Sequence, residues 1–174
     1  MTVIKYRVWT ARWLIIGAVL FLFMLAGGSL AVAADGSGED ALYHNQKGVE
    51  YFSKAFHEHT PKRQAQEAER NYALAAAEFK KALSIDPSSV DAHRNLARLY
   101  YIQTNFTGAV QEYQKVTQLD SKDLDAYVNL ALAYIQLAQY NSAIEVLQEA
   151  KTHTTDQKAR EKLDTYIDKV RQHQ

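Results

Sequence analysis

Arg94 and Arg98 lie four residues apart, one turn of a helix, so their guanidinium groups leave the backbone from one face. Two permanently charged planar forks at that spacing suit joint capture of a carboxylate. Alternatively the pair belongs to a solvated face and is neutralised by Asp91 or Asp125. Asn95 beside them and Asn129 further on carry amides that both donate and accept, the chemistry that pairs with an extended peptide backbone. His57-Glu58-His59 has metal-ligand types, but i and i+2 histidines on a helix point about 200° apart and cannot share one ion. The remaining histidines, His44, His93, His153 and His173, are scattered, and no nucleophile elbow, phosphate loop or paired-acid arrangement surrounds the serines and acids. The chain is therefore expected to be no enzyme, with no catalytic residue, no metal and no cofactor.

Holding such groups in a row requires a regular scaffold, and the chain overlays on itself when shifted by 34 residues. Ala92, Asn95, Leu96, Ala97, Tyr100 and Ala109 then meet Ala126, Asn129, Leu130, Ala131, Tyr134 and Ala143. A fixed period of this length means stacked two-helix units rather than one globular core. Small residues fall where the two helices of a hairpin approach closely, Ala97 against Ala109 and Ala131 against Ala143, while Leu96, Tyr100 and Tyr113 fill the neighbouring holes. An earlier second helix, with Ala75, Phe79, Ala82, Ile85, Asp86 and Pro87, fits the same template.

Asn95-Leu96-Ala97, Tyr100, Ala109, Tyr113 and the closing Leu119-Asp120, echoed by Asn129-Leu130-Ala131, Tyr134, Tyr140, Ala143, Leu147 and Ala150, resemble the tetratricopeptide repeat, with alanine where glycine is commonest. The resemblance covers about residues 41 to 151. It implies an all-α fold, an α-solenoid of three helix hairpins plus a C-terminal capping helix, and a binding scaffold whose inner face is lined by the first helix of each repeat. On that geometry the groove takes Asn45, Val49 and Phe52 from the first repeat, Arg94, Asn95, Arg98 and Tyr101 from the second, and Val128, Asn129 and Leu132 from the third. Asp91, Ile102, Asp125 and Ile135 flank them. Chaperone-binding members clamp a C-terminal carboxylate with a spaced set of lysines, an arginine and asparagines. Asn95 fits one place, but Asn45, Val49, Asp125 and Asn129 stand where the first lysine, first asparagine, second lysine and arginine would be, so no such clamp is implied.

The first hairpin departs from the pattern. Gly48 precedes Ala75 by 27 residues where Ala97 precedes Ala109 by 12, and Lys47 stands where leucine is usual. Thr60-Pro61 reads as a helix start, so both helices are expected to be about two turns longer, with Phe52 and Phe56 packing on Ala65, Ala68 and Tyr72. Ser88 or Ser89, Asn105 and Thr154-Thr155-Asp156 open later helices. The last of these presents Leu163, Tyr166, Ile167 and Val170 on one side, the pattern of a cap over the third repeat.

The amino end is of another kind. Lys5, Arg7 and Arg12 precede an uncharged run from Trp13 to Ala34, followed by Asp35, Glu39 and Asp40, an order that sends the carboxyl part out of the cytoplasm. Gly27-Gly28 and then Ala31-Val32-Ala33 ahead of Ala34 suit cleavage between Ala33 and Ala34, giving a periplasmic or extracellular protein. The alternative is an uncleaved anchor over residues 13-34, since the run reaches the roughly 20 residues that span a bilayer. With no cysteine, a lipoprotein anchor is excluded.

The boundaries are thus 1-33 for a signal peptide or membrane anchor, 34-40 for a flexible tether, 41-87 for a degenerate first repeat with an extended hairpin, 88-121 and 122-155 for the second and third repeats, and 156-174 for the capping helix. Loss of the leader removes basic residues only and leaves a mildly acidic chain with interleaved charges, which speaks against nucleic-acid binding. The expected function is that of an exported, non-catalytic adaptor binding a protein or peptide segment in its groove for an envelope complex. The alternative is a structural array that works by homo-oligomerisation.

Overall fold

Alanine, leucine, lysine and glutamate dominate the repeats, and with few helix breakers present the segments between turns have no competitor to the helix. The computed structural model describes residues 36–57 and 62–173, and every regular element among them is helical. In order these are α1 (Gly36–His57), α2 (Lys62–Ile85), α3 (Val90–Ile102), α4 (Phe106–Leu119), α5 (Leu124–Gln136), α6 (Tyr140–Thr152) and α7 (Gln157–Arg171). Ser37–Gln174 form one unit. The leader, with Ala33 and Ala34, and the stretch Glu58 to Pro61, with most of His57-Glu58-His59, lie outside the described residues. No helix among the described residues is long and apolar enough to cross a membrane.

The stretch Gly36 to Asp40, expected as a flexible tether, is instead the first turn of α1. Once a helix is nucleated, each added residue contributes a hydrogen bond at little further cost, and Glu39 favours the positive end of the dipole. The first hairpin has helices of 22 and 24 residues, against 13 or 14 in the other two. Phe52 stacks on Phe56 at 6.3 Å and meets Tyr72 edge-on at 5.9 Å. Lys47 has a use of its own: with His44 it pairs to Glu78 across the hairpin, at 3.3 and 2.6 Å. The hydrogen bond from His44, opposed by burial and aided by Lys47, holds the Glu78 carboxyl below the ordinary 4.5.

The core is a chain of clusters at the junctions rather than a single centre. Ala75, Phe79, Leu96 and Leu99 join the first hairpin to α3. Ala97, Ala109, Tyr113, Leu130 and Ala133 join the second to α5. Tyr127, Ala131, Ala143 and Leu147 then meet Leu163, Ile167 and Val170 of α7, which covers the end of the array. Ala97, Ala109 and Ala143 are fully buried, the condition for close helix approach. Side-chain caps punctuate the run: Ser89 for α3, Asn105 for α4, Asp123 for α5 and Asp156 for α7. Ser88 is not a cap; its hydroxyl donates to Asp86 at 2.6 Å and tightens the preceding turn.

The period extends to backbone conformation. Thr104 and Ala138, 34 residues apart, have φ of 58° and 56°. Each ends a helix, with Asn105 N bonding to Tyr100 O and Gln139 N to Tyr134 O, both at the six-to-one spacing of a left-handed helix stop. Glycine is the residue that adopts this conformation without Cβ strain. Thr104→Gly is therefore expected to raise stability by about 1 kcal/mol in urea denaturation, and an unchanged or lower midpoint would show that the threonine is not strained.

Candidate binding groove

α1, α3 and α5 stand side by side through these junctions, and their shared face carries three depressions in sequence. Val49, Phe52, Phe79, Asn95 and Arg98 line the first. Arg98, Tyr101, Tyr113, Asn129 and Leu132 line the second. Val128, Leu132 and Ile135 line the third, together with Tyr140 and Leu147 of α6 and Tyr166, Lys169 and Val170 of α7. Arg98 is common to the first two and Leu132 to the last two, so the three form one path.

The two arginines of α3 have different surroundings. Arg94 donates through Nε and Nη2 to Asp123 Oδ2 at 3.1 and 2.9 Å and also pairs with Asp91, so both its forks are occupied inside the chain. Burial disfavours its cation, and the carboxylates of Asp123 and Asp91 outweigh that and hold its pKa above the ordinary value. Because Asp123 also caps α5, Arg94 fastens one repeat to the next. Arg94 and Arg98 thus do not form a matched pair of free forks. Arg98 lies over the Phe52 ring at 5.9 Å from its centroid and, among the described residues, meets no carboxylate. Its guanidinium is exposed, stacked and uncompensated, which is the condition for holding a ligand's carboxylate.

The asparagines divide similarly. Asn95 donates through Nδ2 to Asn45 Oδ1 at 3.0 Å, a bond that links the first helices of two repeats and buries Asn45 at 8% exposure. Asn129 is half-buried in the middle depression, and its amide makes no hydrogen bond among the described residues. An unpartnered amide on a partly apolar floor offers a donor and an acceptor to a passing backbone. Tyr113 closes that floor from α4, and burial pushes its phenol up to about 12, so it presents a neutral ring.

Eight of the ten residues expected in the groove line the three depressions; Asn45 lies beneath them and Arg94 is turned to Asp123. The contribution of α7 is additional. Tyr166, Lys169 and Val170 sit at i, i+3 and i+4, so the helix that caps the array also presents one edge to the groove. That spacing is legible in the sequence, but treating the helix only as a cover hides it. His93 and His44, scattered in sequence, each meet a glutamate of the partner helix in their hairpin, His93 Nδ1 standing 2.6 Å from Glu112 Oε2. Both are hairpin ties away from the groove. No cluster of three potential metal ligands occurs among the described residues.

Residues 97–138 match the family model described as TPR repeat. No curated protein matches the chain. Solved structures match in fold. The TPR2B domain of yeast Sti1, in complex with pHsp70, aligns with a TM-score of 0.60 at 20% identity, covering 78% of this chain and 99% of that one. An Arabidopsis OM64 TPR domain aligns at 0.59 and 17% identity, covering 80% and 100%. The first TPR of Spaghetti (RPAP3), bound to the HSP90 peptide SRMEEVD, aligns at 0.57 and 18% identity, covering 78% and 96%.

Proposed function

For this array of tetratricopeptide repeats, we propose a non-catalytic adaptor that holds a peptide segment of a partner protein along its inner face, on the far side of a cytoplasmic membrane. The observation that carries this is the continuity of the three depressions with two polar groups, Arg98 and Asn129, left unpaired on their path. Two of the solved structures with this fold are complexes, one with pHsp70 and one with an HSP90 peptide, which supports a groove that takes peptides. The ligand of this chain is a different one, because Val49, Asp125 and Asn129 replace the charged and amide groups of the chaperone clamp. Placement outside the cytoplasm rests on the basic flank, apolar run and acidic flank of residues 5 to 40.

The test is crosslinking in intact cells, affinity purification of the carboxyl-tagged chain, and intact mass on the same sample. One dominant partner and a mass beginning at Ala34 are expected. Arg98→Ala should weaken capture of that partner by about ten-fold or more, the worth of a charge-assisted hydrogen bond, without lowering the denaturation midpoint. Arg94→Ala should do the reverse, since it strands Asp123 at the junction of repeats. Capture insensitive to Arg98 would remove the inner face from consideration.

A further inference from the structure

The third depression differs from the other two in its walls. Val128, Leu132 and Ile135 of α5 form one side and Tyr166 and Val170 of α7 the other, so it is a socket between two helices rather than a dip along one. Its volume is about 260 Å³. An apolar cavity of about 150 Å³ accommodates benzene, so the socket has room for a phenyl ring or a leucine side chain. Lys169 stands on its rim and meets no carboxylate among the described residues. The acids that share its helix are already engaged, Asp164 by Lys151 and Asp168 by Arg171. An apolar hole with an uncompensated ammonium at its edge is complementary to an apolar side chain that has a carboxylate next to it.

We propose that this socket takes a phenylalanine or leucine side chain from an acidic peptide segment, with a neighbouring carboxylate of the peptide paired to Lys169. The assignment rests on the peptide-binding role of the inner face and adds the class of sequence recognised. Since Leu132 borders both the socket and the middle depression, a segment seated here continues toward Arg98, the second uncompensated cation on the path. Acidic residues on both sides of one large apolar residue are therefore the signature of the partner.

The test uses the full-length chain in mild detergent and short fluorescein-labelled synthetic peptides. One central residue is phenylalanine, leucine or alanine in a glutamate-glycine-serine background, and a lysine-background phenylalanine peptide serves as the charge control. The phenylalanine and leucine peptides should bind at least about ten-fold more tightly than the alanine and lysine-background peptides. Lys169→Glu should erase the preference for the acidic background while thermal unfolding stays unchanged. If Arg98→Ala weakens the acidic peptides and Lys169→Glu does not, the groove stands and the socket assignment is overturned. If neither substitution matters, the groove itself falls. A mass that rises with concentration and returns to monomer in Lys169→Glu, with no peptide bound, would place a second copy in the socket and overturn the proposal.

Discussion

Phe79→Ala is expected to destabilise the amino-terminal half of the array by about 3–5 kcal/mol, the cost of removing a fully buried aromatic side chain. The ring is 1% exposed and belongs to the cluster with Ala75, Leu96 and Leu99 that joins the first hairpin to α3. In an array held by nearest-neighbour contacts, such a loss is local. Hydrogen exchange should therefore show α1 and α2 opening well before α5 to α7, and uniform opening of all seven helices would contradict this account. The same ring explains Gly48. A Cβ at position 48 would lie 2.5 Å from Phe79 Cε1 and 2.6 Å from Cδ1, closer than packed atoms approach. With Leu96 and Leu99 behind it the ring has little room to retreat, so Gly48→Ala should cost about 1–3 kcal/mol by overpacking. In a Phe79→Ala background the clash has no partner, and the cost of Gly48→Ala should largely vanish. Additive urea-denaturation costs in the double-mutant cycle would rule out this contact as the reason for the glycine.

Gly48 and Phe79 also show where sequence is a sufficient guide. A small residue one repeat-helix from a large one is a local pattern, and the 34-residue period identifies Ala97, Ala109, Ala131 and Ala143 by the same logic. Caps such as Asn105 and Asp156 are readable because their chemistry spans three residues or fewer. Groove lining follows too, since residues four apart on a helix share a face. The fate of Arg94 is another matter. Its partner Asp123 is 29 residues away in the turn before α5, and only the packing of one repeat on the next brings them together. Spacing within α3 places Arg94 and Arg98 on one face but says nothing of which acid arrives from the next repeat. The α7 edge of the socket is of the same sort, because it depends on how far the last helix rotates as it covers α6. The helical start at Gly36 depends on the growth of a helix whose glycine-rich first turn has low propensity of its own.

Leu130 and Leu132 give the sharpest separation of scaffold from site. They are two residues apart on α5, so their side chains leave the helix about 200° from each other. Leu130 is 2% exposed and packs with Ala97, Ala109, Tyr113 and Ala133 at the junction of the second and third repeats. Leu132 is 41% exposed and borders both the middle depression and the socket. Leu130→Ala should lower stability by about 2–5 kcal/mol and, because its junction lies mid-array, split the unfolding into an amino-terminal and a carboxyl-terminal step. Leu132→Ala should leave stability within about 0.5 kcal/mol of the parent, since it opens no buried cavity. For capture of the partner the expectation is inverted. Leu132→Ala removes a wall shared by two depressions and should weaken binding in a chain that is fully folded. Leu130→Ala should bind normally at temperatures where the array remains intact. Urea denaturation and partner capture measured on both variants separate the two faces of one helix. Loss of stability in Leu132→Ala, or loss of capture in a folded Leu130→Ala, would mean that α5 is rotated from the orientation on which the groove depends.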